Sequence, residues 1–172
     1  MENDLVIRYS SVEDVSGMGV VYVDTWKAAY QGMIPQDYLD SLTYEGWEEK
    51  YRARLSRQND YHMAVLVLGS RIIGVVSFMK SRDEDLPESI GEIVSIYVLP
   101  EYWNMGFGRR LLTFAAEELK RQGYAGCALW TLEGNKRAQN AYERFGFVRD
   151  GKKKTYEFNG VPVGEIRYQR PL

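Results

Sequence analysis

Residues 92–112 have the sequence EIVSIYVLPEYWNMGFGRRLL, and they carry the strongest structural signal in the chain. The stretch begins with the apolar run from Glu92 to Val98, which is typical of a central strand. A turn containing Gly106 and Gly108 follows, and an amphipathic helix is predicted from Arg109 to Gln122. With the strands and interspersed helices predicted along the rest of the chain, this segment favours a mixed α/β sheet, with a central sheet flanked by helices.

The glycine turn also has a chemical interpretation. Residues without side chains let the backbone approach a phosphate closely, and the first amides of the helix point their positive dipole end toward it. An ordinary tight turn is the alternative. Leu111 replaces the third glycine of a dinucleotide fingerprint, and the Gly-Lys-Ser/Thr ending of a P-loop is absent.

The remaining sequence alternates strand and helix patterns around this stretch. The predicted strands are Leu5–Tyr9, Met63–Leu68, Ile72–Lys80, Cys127–Leu132, one that begins at Phe145, and a hairpin of Lys153–Phe158 with Val161–Gln169. The predicted helices are Val12–Tyr30, Pro35–Leu42, Tyr44–Arg57 and Lys136–Arg144, and the charged segment 81–89 is predicted to be a loop. The chain of 172 residues is long enough for one core, so we expect a single domain over 1–172.

Composition limits the classes of partner. A net charge of -2 argues against nucleic acid as a substrate, and no apolar run is long enough for a membrane span. The acidic start, Met1 to Asp4, lacks the features of a signal peptide, and the single Cys127 fits a reducing cytoplasm. Cys127 lies in an apolar segment and is interpreted as a buried small side chain. With His62 as the lone histidine, we expect no metal site.

Two motifs in series resemble those of the GNAT superfamily of acetyl-CoA-dependent N-acetyltransferases. In the first, a strand ending in Val-x-Pro leads to Gln/Arg-x-x-Gly-x-Gly/Ala, which matches Trp103 to Gly108 except that Trp103 replaces the usual Gln or Arg. In the second, Asn135 to Phe147 matches Asn-x-x-Ala-x-x-x-Tyr-x-x-x-Gly-Phe. The clear match covers Glu92 to Phe147, and the residues before it match only by the order of strands and helices.

The resemblance implies roles for residues at matching positions. The backbone of Ile96, Tyr97 and Val98 would pair with the pantetheine arm, and Asn135 would bond its other side. The amides of Asn104, Met105, Gly106, Phe107, Gly108 and Arg109 would hold the diphosphate. Tyr142 would stand beside the thioester sulfur as the general acid, because a thiolate with a pKa of about 8.5 leaves more readily when a hydroxyl donates to it. An aromatic side chain on the buried face of a short helix is the structural alternative for Tyr142.

The attacking amine needs to lose a proton. An alkyl ammonium has a pKa of about 10.4, so only a small fraction is the free amine at neutral pH. Glu92 lies where histone-type members of the superfamily carry a glutamate, which suggests that it is the catalytic base. A glutamate facing water at the strand end, with an ordered water chain as the proton acceptor, is the alternative. Glu133 is a second choice.

The acceptor site is expected in the N-terminal half. Residues 24–38 are rich in aromatic side chains next to a helix break, and they resemble a Trp-x-x-x-Tyr-x-Gly-x-Ile-Pro pattern of bacterial members. This resemblance implies substrate contacts by Trp26, Tyr30 and Tyr38, because aromatic faces suit a cationic amine. Trp26 and Tyr30 share a helix face and could equally be core residues.

The combined prediction is an enzyme that moves an acetyl group from acetyl-CoA, its co-substrate, to a primary amine of a small molecule or peptide. Within the domain, 1–60 would supply acceptor-side helices and 90–147 the acetyl-CoA-binding core. A non-catalytic acyl-CoA sensor is the alternative function. No nucleic acid or membrane partner is expected, and an exposed edge hairpin allows a homodimer.

Overall fold

The computed structural model describes residues 5–57 and 59–172. The strands are β1 (Leu5–Tyr9), β2 (His62–Leu68), β3 (Arg71–Lys80), β4 (Ile90–Val98), β5 (Gly126–Leu132), β6 (Val148–Phe158) and β7 (Val161–Pro171). The α-helices are α1 (Val15–Ala29), α2 (Gln36–Asp40), α3 (Tyr44–Leu55), α4 (Phe107–Arg121) and α5 (Lys136–Arg144). The predicted helices and strands are present, except that the strand predicted from Phe145 and the hairpin strand predicted from Lys153 are one strand, β6. The acidic start, Met1 to Asp4, lies outside the described residues.

The strands form one seven-stranded sheet in the order β1-β2-β3-β4-β5-β7-β6. Neighbouring strands run antiparallel except for β4 and β5, which are parallel. The sheet is therefore mixed, and the predicted α/β class is confirmed. The assignment of 1–60 and 90–147 to acceptor and cofactor roles within a single domain stays a prediction.

The sheet is open between β4 and β5. Hydrogen-bonded pairing joins Ile90–Glu92 to Gly126–Ala128 and stops there, although β4 continues to Val98 and β5 to Leu132. An irregularity in β4 accompanies the separation: Ser77 of β3 faces Ser95 while Phe78 faces Ile93, so Val94 is an extra residue in the ladder. A bulge of this kind bends its strand and increases its twist. The far half of β4 therefore presents an edge away from β3.

Helices cover both faces of the sheet. On one face, α4 packs against β3 and β4, and its Phe114 meets Phe78 of β3. On the other face, Tyr22 of α1 stacks on Trp47 of α3 and contacts Tyr97 of β4 edge-on. The predicted amphipathic pattern of α4 explains its placement, because its apolar residues are buried against the strands. Within the described residues, no helix combines the length and apolarity needed to span a bilayer.

The predicted strand start at Phe145 is wrong. Residues 145–147 instead close the C-terminus of α5: the Phe145 amide donates to Ala141 O at 3.1 Å and the Phe147 amide to Tyr142 O at 3.0 Å. Gly146 has φ of 96°, the left-handed conformation that ends many helices. β6 begins at Val148 and therefore extends five residues further toward the N-terminus than the predicted hairpin strand at Lys153.

The loop between β3 and β4 is fastened to β7 by Arg167. The Arg167 side chain is only 5% exposed, and its guanidinium donates to both oxygens of Asp85 at 2.8 Å and to Asp150 at 2.6 Å. It also lies over the ring of Trp130, whose Nε1 donates to Asp83 at 2.9 Å. A buried guanidinium is stable only when it is paired in this way. The network holds the start of β4 in place beside β5.

Cys127 is fully buried in β5. Burial disfavours the thiolate and raises the pKa of the Cys127 thiol to about 12. The side chain therefore stays protonated at neutral pH, in line with its predicted role as a small core residue rather than a nucleophile.

Candidate active site

A groove of about 790 Å³ lies between the far half of β4, the turn before α4, and α5. The predicted site residues that line it are Ile96, Val98, Asn104, Gly106, Gly108, Arg109 and Tyr142. The predicted residues Tyr97, Met105, Phe107 and Asn135 are close in sequence but do not line it. The two motifs therefore face each other across one groove.

The turn before α4 is shaped to receive an anion. Asn104 has φ of 62° and Gly106 φ of 85°, so the backbone takes two left-handed steps before Phe107 starts α4. No side chain of residues 5–57 or 59–172 caps the first amides of α4, which leaves them available to a ligand at the positive end of the helix dipole. A Cβ at Gly106 or Gly108 would meet no atom of the described residues within 4 Å, because both glycines border the groove. This geometry fits a diphosphate.

Only some of the β4 backbone groups that are predicted to pair with pantetheine face the groove. The Leu99 amide donates to Ile73 O of β3 at 2.9 Å. Backbone groups alternate in direction along a strand, so Tyr97 also faces β3, whereas Ile96 and Val98 face the groove. The Val98 carbonyl already accepts from Thr25 Oγ1 at 3.1 Å and Trp103 Nε1 at 2.7 Å. Ile96 and the Val98 amide are therefore the groups that an extended ligand could pair with.

Asn135 caps α5. Its side chain is buried, and Oδ1 accepts from the Ala138 amide at 3.2 Å. This contact satisfies one of the free amides at the start of the helix. Asn135 thus orients α5 and its Tyr142 in the structure, and the predicted bond to pantetheine stays a prediction.

Tyr142 projects from α5 into the place where the groove meets the opening between β4 and β5. Its ring packs edge-on against Phe147. Burial raises the pKa of the Tyr142 phenol to about 12, and the charge of Arg137 opposes this shift. The hydroxyl is therefore protonated at neutral pH and can donate a hydrogen bond into the groove.

A second, smaller space lies in the opening itself, which we call the gap. It has a volume of about 40 Å³ and is lined by residues 93–97 of β4, residues 129–131 of β5, and the tyrosines Tyr30, Tyr97 and Tyr142. Ile96 and Tyr142 line both the gap and the groove. A molecule in the gap would therefore contact a group bound at the end of the groove.

The aromatic residues of the N-terminal half have different positions. Tyr30 lines the gap. Trp26 lies behind it, within 6.4 Å centroid distance of Tyr22, Tyr30 and Tyr97, and none of the described residues accepts a hydrogen bond from its buried Nε1. Tyr38 packs on Phe158 at 4.9 Å and does not line the gap. Of the three predicted substrate residues, the structure brings only Tyr30 to the gap.

Glu92 is buried at the paired end of β4, away from the groove. Its carboxylate accepts from Arg82 Nη2 at 2.6 Å, Arg82 Nε at 3.0 Å and the Arg82 amide at 3.2 Å. Strict alternation predicts Glu92 on the face opposite Ser95 and Tyr97, and this is wrong. Because Val94 is the extra residue of the bulge, Glu92 shares their face, which α1 and α3 cover.

The model of the family described as "Acetyltransferase (GNAT) family" matches residues 23–147, well over half of the chain. The chain belongs to this family. The N-acetyltransferase YuaI of Bacillus subtilis is 34% identical over 131 residues, which are 76% of this chain and 73% of the relative. A spermidine N(1)-acetyltransferase of Thermoplasma acidophilum is 25% identical over 145 residues, which are 82% of this chain and 86% of the relative. The protein is accordingly an acyltransferase.

Solved structures confirm the GNAT fold. The PaiA N-acetyltransferase of Thermoplasma acidophilum in complex with coenzyme A superposes with a TM-score of 0.75 at 23% identity, over 98% of this chain and 99% of that one. The acetyltransferase YncA of Salmonella typhimurium with acetyl-CoA gives a TM-score of 0.72 at 21% identity, over 98% and 94% of the two chains. The family model begins at Val23, so the likeness extends further than the predicted Glu92 to Phe147 and includes α2, α3 and part of α1.

Three contacts around the groove and the gap were not predicted from the sequence. The first is the Tyr97 side chain, which enters the gap while its backbone pairs with β3. The second is Thr25, which holds the Val98 carbonyl from α1. The third is Arg137, whose guanidinium lies on the Trp103 ring. Only the last had a sequence signal, because Trp103 is the one departure from the first motif.

Proposed function

We propose that this GNAT protein transfers an acetyl group from acetyl-CoA directly to a primary amine of a small molecule or peptide. One observation carries the proposal: the groove and the gap meet at Ile96 and Tyr142. A thioester entering along the groove would end beside the Tyr142 hydroxyl, with the gap open to an acceptor on the other side. No observation favours the non-catalytic sensor.

The residues of the groove fit acetyl-CoA as co-substrate. The free amides at the start of α4 and the open space beside Gly106 and Gly108 suit its diphosphate. The backbone of Ile96 and the Val98 amide, with Asn135 opposite, would hold the pantetheine arm. Two solved relatives contain coenzyme A or acetyl-CoA, which supports this assignment.

The reaction is a direct transfer. The acceptor ammonium first loses a proton, and the nitrogen lone pair then attacks the thioester carbonyl to form the C–N bond of a tetrahedral intermediate. The nitrogen of the intermediate gives up its extra proton, and the C–S bond breaks as the intermediate collapses. The departing thiolate accepts the hydrogen bond of the Tyr142 hydroxyl and takes its proton, and the proton that the nitrogen released restores the hydroxyl. The products are an acetamide and free coenzyme A.

The gap favours an unbranched amine. Its volume of about 40 Å³ is small beside the 790 Å³ of the groove, which supports an acceptor whose amine end is narrow. The phenol oxygens of Tyr30 and Tyr97 and the backbone carbonyls of β4 and β5 can accept from its N–H groups. The name of the Thermoplasma acidophilum relative makes polyamines the first candidates to test.

The proposal is tested by measuring thiol release from acetyl-CoA with a panel of primary amines: polyamines, amino acids, peptide N-termini and lysine side chains. We expect release that depends on the amine and matches acetamide formation by mass spectrometry. A secondary and a branched amine serve as matched negative acceptors. Thiol release that no primary amine accelerates would contradict the function.

The base for the acceptor remains a proposal with Glu92 as its candidate. Arg82 occupies both oxygens of Glu92, so a proton must reach the carboxylate through water or with movement of Arg82. A water chain directly to solvent is the alternative. Glu133 is a poorer base, because its hydrogen bond with Lys153 lowers the pKa of the Glu133 carboxyl.

We predict that Glu92→Gln lowers kcat/KM at neutral pH by roughly 100-fold, the lower end of the effect of a positioned base. The rate should recover as pH rises, because free amine then accumulates without help from a base. Arg82→Gln is the matched control, since it breaks the same ion pair and keeps the carboxylate. A Glu92→Gln rate and pH profile like the parent's, or the same loss and recovery in Arg82→Gln, would assign Glu92 a structural role.

The remaining partner assignments are proposals too. β6 is the outer strand of the sheet, and Val148 and Tyr156 on it are 69% and 56% exposed, which supports pairing of a second copy at this edge. The net charge of -2 supports a protein without a nucleic acid partner. We place the enzyme in the cytoplasm, where acetyl-CoA and reduced thiols are both present.

A further inference from the structure

Trp103 is fixed at the wall of the groove. Its Nε1 donates to the Val98 carbonyl at 2.7 Å, which ties the turn before α4 to the end of β4. This hydrogen bond fixes the position of the Trp103 ring, and one face of the ring is turned toward α5. The first motif usually has Gln or Arg here, and this chain has replaced a polar side chain with a flat apolar one.

Arg137 covers that face from the opposite wall. It lies in the first turn of α5, and its guanidinium carbon is 3.3 Å from the centroid of the Trp103 ring. Both residues line the groove. A guanidinium that stacks on an indole keeps the N–H groups around its edge free for other acceptors, and the stacking fixes their orientation.

Among the described residues, no acid balances the charge of Arg137. Arg82 and Arg167 are each paired with carboxylates. In the parts of the chain that the structure describes, no carboxylate pairs with Arg137, and burial removes part of the hydration of its guanidinium. That loss, caused by burial, lowers the pKa of Arg137, so an anion in the groove would stabilise its charged form.

We propose that Arg137, held flat on Trp103, binds the diphosphate of acetyl-CoA. The inference rests on the proposed function, since it assumes that acetyl-CoA occupies the groove. Trp103 directly precedes the turn whose amides face the diphosphate, so the N–H edge of a guanidinium on its ring is next to that group. The α5 helix thereby supplies, from across the groove, a cationic contact at the position where the motif usually has its own polar side chain. Trp103 acts as the positioning residue.

The test measures the affinity of the full chain for coenzyme A by calorimetry. Arg137→Gln should weaken binding by about 10- to 100-fold, the effect of one charge-assisted hydrogen bond. Dephospho-coenzyme A, which keeps the diphosphate and lacks the 3′-phosphate, should show the same factor. Pantetheine, which has no phosphate, should bind parent and variant equally. Lys136→Gln is the matched control, because it removes a neighbouring charge on the same turn from a residue that does not line the groove.

Trp103 is tested in the same assay. Trp103→Ala should weaken binding to a similar extent, and Trp103→Ala with Arg137→Gln should be no weaker than Arg137→Gln alone, because the two residues act as a unit. Trp103→Phe, which keeps a ring, should retain most of the affinity.

Several results would overturn the assignment. One is unchanged affinity for coenzyme A in Arg137→Gln. Another is a loss that disappears with dephospho-coenzyme A, which would place Arg137 at the 3′-phosphate. An equal loss with pantetheine would mean a distorted groove. A parent protein that does not bind coenzyme A would overturn both this inference and the proposed function, whereas the other results leave the function intact.

Discussion

Replacing Tyr142 by phenylalanine should lower kcat by about 100- to 10,000-fold, with little change in KM for acetyl-CoA. The change deletes one oxygen and keeps the ring that packs on Phe147. Burial raises the pKa of the phenol to about 12, so the hydroxyl is a donor throughout the range of an ordinary assay. Its hydrogen bond strengthens as charge develops on the sulfur, which makes it a transition-state interaction rather than a substrate contact. Deprotonation of Tyr142 should therefore not lower the rate of the parent enzyme below about pH 10.

Tyr97 is the other candidate for the proton donor, and Tyr97→Phe tests it. The Tyr97 side chain also lines the gap, and burial raises its pKa, so its hydroxyl also stays protonated. We expect its effect to be the smaller of the two, since Tyr142 lines both the groove and the gap. Steady-state kinetics with saturating acceptor would compare them. A full rate in Tyr142→Phe together with a large loss in Tyr97→Phe would move the donor role to Tyr97.

The parts of the fold that local patterns govern could be predicted from the sequence. The apolar run of β4, the glycine turn and the amphipathic α4 each depend on neighbours within a few residues, so their order and approximate bounds are visible in residues 92–122. The second motif placed Tyr142 on a helix for the same reason. These elements carry the two walls of the groove.

The face on which Glu92 lies could not be predicted, because it depends on the register between β3 and β4. One extra residue, Val94, reverses the alternation of every residue before it. Nothing in the apolar run itself marks Val94 as the insertion. The error therefore has a tertiary cause, since the register is fixed by how Phe78 and Ser77 of β3 meet the strand.

The positions of the aromatic residues predicted at the acceptor site also depend on tertiary contacts. The spacing of Trp26 and Tyr30 correctly indicates one helix face, but which of the two reaches the gap depends on where β4 and β5 separate. Tyr38 lies against Phe158 of the distant β6–β7 hairpin, a contact that no local pattern contains. The stacking of Arg137 on Trp103 likewise joins two segments that the sequence keeps far apart.

Gly108→Leu should weaken binding of acetyl-CoA by roughly 100-fold while the fold remains intact. A Cβ at this position meets no protein atom within 4 Å, so the added side chain enters the groove rather than the core. There it would hold the diphosphate away from the first amides of α4 and break one or two hydrogen bonds, each contributing about 1.5–3 kcal/mol when an acceptor is charged. Gly106 is unsuitable for this test, because its φ of 85° would add backbone strain to any other residue.

Weaker binding of acetyl-CoA by Gly108→Leu has two possible causes, a damaged fold and a blocked diphosphate site. Measuring both stability and affinity distinguishes them. Leucine favours a helix over glycine by up to about 1 kcal/mol, and Gly108 lies in the first turn of α4, so the melting temperature of the free protein should not fall. Gly108→Ala is the matched control, with the same backbone effect and a side chain too small to reach a ligand held at hydrogen-bond distance. Calorimetry should then show near-parent affinity for alanine and a severe loss for leucine. Equal, parent-like affinity in both variants would mean that the diphosphate does not lie over the start of α4, and the groove would have to hold acetyl-CoA by other contacts.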